Sequence, residues 1–288
     1  GPPSSGGNFF QQELGAMHVT QLDGEAHRRS RKLILPAFGV AAVTRDADVV
    51  DATLSHGLST WPGSEVDLHP AFSRLITRAL NVSQLKESVS EKEIDKLVTF
   101  EEGFIPASAL EPEERQKWYD TAEYTDAKNL AFSYFEKVVD ERLAGLSKHD
   151  SLDLLMGRAV PEGLSPLSRD ELVRAVYLLS VAGVGNIANI LCAALWALRG
   201  HPEWISSIRD ELGEFEPGSL KQGIGNLPNL KAVISEVERC YLPAPVIPKM
   251  SAGPVNFMGY EIPGKAHILQ LHGLAHFESR RYDAPLQF

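Results

Sequence analysis

The stretch from Ser168 to Gly200, SRDELVRAVYLLSVAGVGNIANILCAALWALRG, constrains this chain more than any other. Ser168 stands three residues before Glu171, the spacing of a capping box, in which hydroxyl and carboxylate each take one free backbone N–H. Gly200 closes the segment, and His201-Pro202 cannot continue it. No charge lies between Arg174 and Arg199. A helix of this span is about 45 Å long at about 1.5 Å per residue. Being apolar nearly all round, it is expected to be buried all round. Gly183, Gly185, Asn186 and Asn189 sit in its middle, an unusual choice for such a rod, and they predict a kink that faces a cavity.

Two other readings of the stretch fail on the same residues. It is long enough for a membrane span, but two Asn, two Gly and an acidic, polar-flanked chain argue against one. Gly183-Val184-Gly185-Asn186-Ile187-Ala188 fits a G-x-G-x-x-A nucleotide loop after the strand-like Val176–Val181, yet no second strand–helix repeat follows.

With 28 basic and 38 acidic residues the chain carries a formal charge of −10, which argues against nucleic acid as a partner. Its two cysteines, Cys192 and Cys240, lie inside apolar or helical patterns and make neither a disulfide framework nor a zinc site. The opening GPPSSGG has no charged and no apolar leader region. A cytoplasmic protein without a membrane span is therefore expected.

Helical patterns recur at 8–17, 23–35, 40–60, 72–80, 113–143, 150–156, 203–212 and 227–241, and at 91–101 behind a second capping box, Ser90-x-x-Glu93. A Gly/Pro-rich loop follows Leu212. Alternating apolar residues with Pro and Gly at 246–268 predict a small β region, with a hairpin or small sheet at 257–263. The fold class is mainly α. His27 and Arg31 share a helix face and suit an anion clamp for carboxylates or phosphates. Asp46, Asp48 and Asp51 lack the D-D-x-x-D spacing of a metal-binding cyclase and are expected on a solvated face. Glu236 and Arg239, three apart, can pair. His272 and His276 have no H-E-x-x-H glutamate between them, so no metal site is expected.

Several of these segments, in order, resemble the cytochromes P450. Asp23-Gly24-Glu25-Ala26-His27-Arg28-Arg29-Ser30-Arg31-Lys32, closed by Pro36-Ala37-Phe38, is similar to the family's helix C, whose His and Arg hold haem propionates. Ala182-Gly183 and the helix around it resemble helix I, and His201-Pro202-Glu203 resembles the start of helix J. Glu236-Val237-Glu238-Arg239 matches the E-x-x-R of helix K. Gly259-Tyr260-Glu261-Ile262-Pro263-Gly264, then His276, Tyr282 and Pro285, resemble the sheet and the segment before the meander. The resemblance implies one P450-like domain over 1–288, running from helix C to helix K with a small β region. It lacks the family's N-terminal sheet and helices and its C-terminal Cys loop and helix L.

The departures shape the functional expectation. The family's F-x-x-G-x-x-x-C-x-G haem loop is not found up to Phe288, and Cys192 and Cys240 fall on the helices equivalent to I and K. Without a thiolate, P450-type O–O cleavage has no electron push. The acid–alcohol pair of helix I aligns with Gly185 and Asn186. These features predict a haem-independent enzyme with no cofactor, cyclising or isomerising a terpenoid- or polyketide-like substrate in a large apolar cavity. Asn186 and Asn189 are the candidate catalytic residues. His27, Arg31, Ala182, Gly183 and Gly185 are the candidate substrate contacts, and Glu236 and Arg239 a structural pair. Two alternatives stand beside this: a fragment of a haem-thiolate monooxygenase, with haem and iron, and a haem-less homologue that activates a biosynthetic partner protein.

Overall fold

The computed structural model describes residues 9–61, 63, 65–107, 110–157, 163–213 and 226–288. The Gly/Pro-rich loop expected after Leu212, and the first residue of the helix expected at 8–17, lie outside them. The helices are α1 Phe9–Leu14, α2 Gly24–Ile34, α3 Val40–Arg45, α4 Ala47–Leu58, α5 Leu68–Gln84, α6 Glu91–Ala107, α7 Pro112–Tyr119, α8 Ala122–Leu143, α9 Ser151–Gly157, α10 Arg169–Ser180, α11 Val184–Leu198, α12 Pro202–Gly213 and α13 Pro228–Cys240. The strands are β1 Ile247–Met250, β2 Val255–Phe257, β3 Tyr260–Ile262 and β4 His267–Gln270. They form two antiparallel pairs, β1 with β4 and β2 with β3. The β2–β3 turn puts Met258 and Gly259 at φ 52° and 86°. That is the primed geometry a two-residue hairpin needs, and only the glycine adopts it without a Cβ penalty.

Both capping boxes form. Glu171 N–H donates to Ser168 Oγ at 3.3 Å, and Ser168 N–H to Glu171 Oε2 at 2.8 Å. Ser90 and Glu93 repeat the arrangement at 3.3 and 2.7 Å. Glu171 also receives Arg29 Nη1 at 2.6 Å, which ties α2 to the start of α10.

The main core lies where α5, α6, α8 and α10 meet. Phe100, Phe104, Tyr124 and Phe135 are fully enclosed there. Each large apolar side chain so buried contributes about 1.5–3 kcal/mol. A buried amide fixes the register of three helices. Asn81 Oδ1 accepts from Tyr134 OH at 2.7 Å and from Ser180 Oγ at 2.8 Å, while its Nδ2 donates to Thr77 O at 2.8 Å. Fully satisfied, such a group specifies one packing; half satisfied, it would be costly.

Three expected helices are interrupted. The pattern at 40–60 breaks at Asp46, which is buried and paired with Arg45 and Lys86. It does not lie on the solvated face expected of it. The pattern at 113–143 breaks at Thr121, whose hydroxyl caps a new helix by accepting from Tyr124 N–H. The central rod breaks at 181–183. There Val181 N–H and Ala182 N–H both reach Tyr177 O, at 3.0 and 3.2 Å, so the turn widens by one residue. Helical bonding resumes when Ile187 N–H donates to Gly183 O at 3.1 Å. Widened turns of this kind kink helices and recur at functional sites. Burial all round is also corrected. α10 is enclosed, whereas Ile187, Leu191 and Leu195, one turn apart along α11, are 43%, 36% and 47% exposed. They face outward because α11 packs against α5 and α13 on its other sides.

Candidate functional site

Two cavities flank Asn186. The first, about 580 Å³, lies between the end of α6, the kink and the segment after α13. Its walls are His69, Glu101, Glu102, Ile105, Pro106, Tyr177, Ala182, Gly185, Asn186, Asn189, Pro243 and Ala244. The second, about 570 Å³, lies between α11 and α13 and is lined by Asn186, Ile187, Ile190, Leu191, Ser235, Glu238, Arg239, Leu242, Pro243, His276 and Tyr282. Both volumes fall in the range of small-molecule sites, and both walls are chiefly apolar with a few placed polar groups.

The kink brings four expected residues, Ala182, Gly185, Asn186 and Asn189, to the first cavity. A Cβ on Gly185 would meet nothing within 4 Å, so the glycine leaves open space against the helix. Both asparagines are exposed and neither side chain is engaged by a described residue, so their amides are available to a ligand. Gly183 forms the turn and lines neither cavity. His27 and Arg31 line neither as well; they lie on α2, half-buried and exposed respectively. Arg29, between them, faces inward instead, to Glu171 and to the carbonyl of Ser165 at 3.0 Å.

Glu236 and Arg239 pair with two bonds, Nε to Oε2 at 2.8 Å and Nη2 to Oε1 at 2.6 Å. The hydrogen bonds from Arg239 hold the Glu236 carboxyl below its ordinary value. The same guanidinium donates to the carbonyls of His276, Pro285 and Gln287 at 2.9, 2.7 and 2.8 Å and stacks over the Tyr282 ring. Arg239 thus staples residues 276–287 onto α13 and closes one end of the second cavity.

Glu101 and Tyr177, which no sequence motif marks, also line the first cavity. Tyr177 OH donates to Glu101 Oε2 at 2.7 Å, and Glu101 is only 5% exposed. Burial pushes the Glu101 carboxyl up to about 7, against the opposing hydrogen bond from Tyr177. Behind Tyr177 packs the buried His18 ring, with centroids 5.6 Å apart. Burial, with Arg174 nearby, lowers His18 to about 4. A signal for Glu101 existed: Ile94, Leu97, Val98, Glu101 and Phe104 follow the helical spacing of one buried stripe.

Comparison with known proteins identifies this architecture. The family model described as Cytochrome P450 matches residues 63–288, and the chain belongs to the cytochrome P450 family. It is 26% identical, over 92% of its length and 60% of the relative's, to cyclooctat-9-en-7-ol 5-monooxygenase of Streptomyces melanosporofaciens. It is 23% identical, over 96% of its length and 66% of the relative's, to pentalenene oxygenase of Streptomyces avermitilis. The fold superposes on the retinoic acid bound cyanobacterial CYP120A1 with a TM-score of 0.83 at 20% identity, covering 97% of this chain and 64% of that one. The chain therefore spans about two thirds or less of each of these proteins.

Family membership overturns the expectation of a protein without a cofactor, because P450 relatives imply haem. The expected cyclase or isomerase chemistry gains no support either, since these relatives are named for oxygen chemistry. The residues present fit one side of a haem: Ala182 and the open space at Gly185 make a low wall that a flat, apolar macrocycle can approach. They do not present an axial thiolate to it. Cys192 packs against the main core, and the Cys240 thiol lies 4.0 Å from Glu236, with neither lining either of the two cavities described.

Proposed function

We propose that this chain is the substrate-binding part of a haem-dependent monooxygenase that acts on an apolar, terpene-like molecule in the cytoplasm. What carries the reading is the first cavity, a mostly apolar space of about 580 Å³ set against the kinked helix. The names of the Streptomyces relatives, one given for cyclooctat-9-en-7-ol and one for pentalenene, support the substrate class. The two free cysteines suit a reducing compartment.

Haem, when bound, supplies dioxygen activation. This chain's own residues bind, orient and exclude water. Ala182 and Gly185 let the macrocycle and the substrate approach the helix closely. Asn186 and Asn189 hold the substrate's polar group or an ordered water with their amides, which donate and accept but do not titrate. Ile105 and Pro106 close the apolar wall. Glu236 with Arg239 keeps the second cavity in shape.

Titrating haem into the purified chain, followed by absorbance, tests the proposal. Saturable uptake of one haem, with a spectral change on adding a sesquiterpene, is expected. Absence of saturable uptake would overturn it. The partner-activator alternative rests on the apolar stripe of α11. That reading calls for a collapsed cavity beside the stripe, and the cavity there is open.

A further inference from the structure

Glu101 is a buried acid on the wall of a mainly apolar cavity, and burying an acid without a purpose is costly. Its Oε2 is held by Tyr177, while no described residue hydrogen-bonds its Oε1. Glu102 beside it is already engaged, accepting from Ser73 Oγ at 2.6 Å and lying 3.4 Å from His69 Nδ1. One acid is thus committed to the protein and the other has an oxygen to spare. We propose that Glu101, positioned by Tyr177, anchors a hydroxyl group on an otherwise apolar ligand, and so selects oxygenated substrates over plain hydrocarbons. This rests on the reading of the cavity as the site of an apolar substrate.

The choice of a hydroxyl follows from donor and acceptor logic. An ionised carboxylate only accepts, whereas a protonated acid can donate. Because the carboxyl titrates near 7, both forms are populated in a cell. An amine cation would satisfy only the ionised form, and a ketone only the protonated one. A hydroxyl both donates and accepts, and satisfies either. The groups facing Glu101 are Tyr177 on α10, Tyr124 on α8, Glu102 on its own helix and His69 on α5. Burial raises both tyrosines above their ordinary value, and a His69→Gln variant controls for the imidazole on the same wall.

The test measures binding of decalin, 2-decalol and 2-decalone to the full chain by equilibrium dialysis at about pH 6 and about pH 8, on either side of about 7. The decalol is expected to bind about tenfold tighter than decalin at both pH values. The ketone's advantage is expected at the lower pH and lost at the higher, in the His69→Gln variant as in the parent. Glu101→Leu should erase the decalol advantage. Equal binding of decalol and decalin by the parent would overturn the anchor while leaving the apolar cavity standing. So would a decalol preference that survives in a folded Glu101→Leu variant. Binding of neither compound would overturn the cavity reading, and the anchor with it. If Glu101→Leu does not fold, the parent's ketone profile still decides: an advantage independent of pH contradicts a titrating anchor.

Discussion

Arg169–Ser180 and Val184–Leu198 are two halves of one apolar stretch, and they meet different fates. The first is clasped by α5 and α8 and disappears into the core. The second leans on α5 and α13 and leaves a stripe open to two cavities. The second half is the more apolar and yet the less buried. Apolarity gives a helix a reason to be covered, and its neighbours decide whether protein or ligand does the covering.

The largest expected effect breaks this comparison if it fails. Leu179→Ala, at a site 1% exposed, should cost about 2–5 kcal/mol in denaturant unfolding, the range for cavities left in a packed core. Leu195→Ala, at a site 47% exposed, should stay within about 0.5 kcal/mol. Equal losses at the two sites would mean that α11 is as enclosed as α10.

Next in size is the staple at the far end of the second cavity. Arg239→Met strands the Glu236 carboxylate and three carbonyls and should cost about 1–3 kcal/mol. Because the cost falls on residues 276–287, tryptic cleavage after Arg280 or Arg281 should accelerate. Unchanged cleavage would show that the segment is held by something else.

A smaller effect concerns pH. Glu101 rises from an ordinary 4.5 to about 7 on folding. Its contribution to stability is complete below about 4.5 and is lost as pH rises through about 7. His18 falls from 6.5 to about 4, so its contribution is complete above 6.5 and is lost as pH falls through about 4. The two slopes oppose each other between about pH 5 and pH 6.5. Glu101→Gln removes one of them, and the variant should gain stability as pH rises across that window, more steeply than the parent. A variant whose profile parallels the parent's would mean that Glu101 is not buried as an acid.

The smallest concerns Gly185. With open space around a new Cβ, Gly185→Ala should stabilise the helix by up to about 1 kcal/mol and weaken ligand binding in the first cavity. Calorimetry would read both, and a loss of stability would show that the space is filled.

Much of this fold was legible because it is local. Ser168 with Glu171, and Ser90 with Glu93, announce their helices by spacing alone, and Glu236 with Arg239 announces a pair. The breaks at Asp46 and Thr121 were missed because each depends on a partner: Lys86 lies 40 residues from Asp46, and a threonine cap resembles any other polar position. In the site, Asn186, Asn189, Ala182 and Gly185 stood out as oddities in an apolar run. Glu101 did not, because a glutamate on an amphipathic helix is ordinary until its register against Ile94 and Leu97 is counted. His27 and Arg31 were drawn to the cavity by charge, but the helix face that turns inward is that of Arg29.

Hydrogen–deuterium exchange with and without saturating haem tests the central claim most directly. Slow exchange is predicted throughout Arg169–Ser180 whether or not haem is present, with protection gained on binding across residues 182–191. Protection gained in the first half, or none gained in the second, would contradict the assignment of the open face of α11 as the wall of the ligand site.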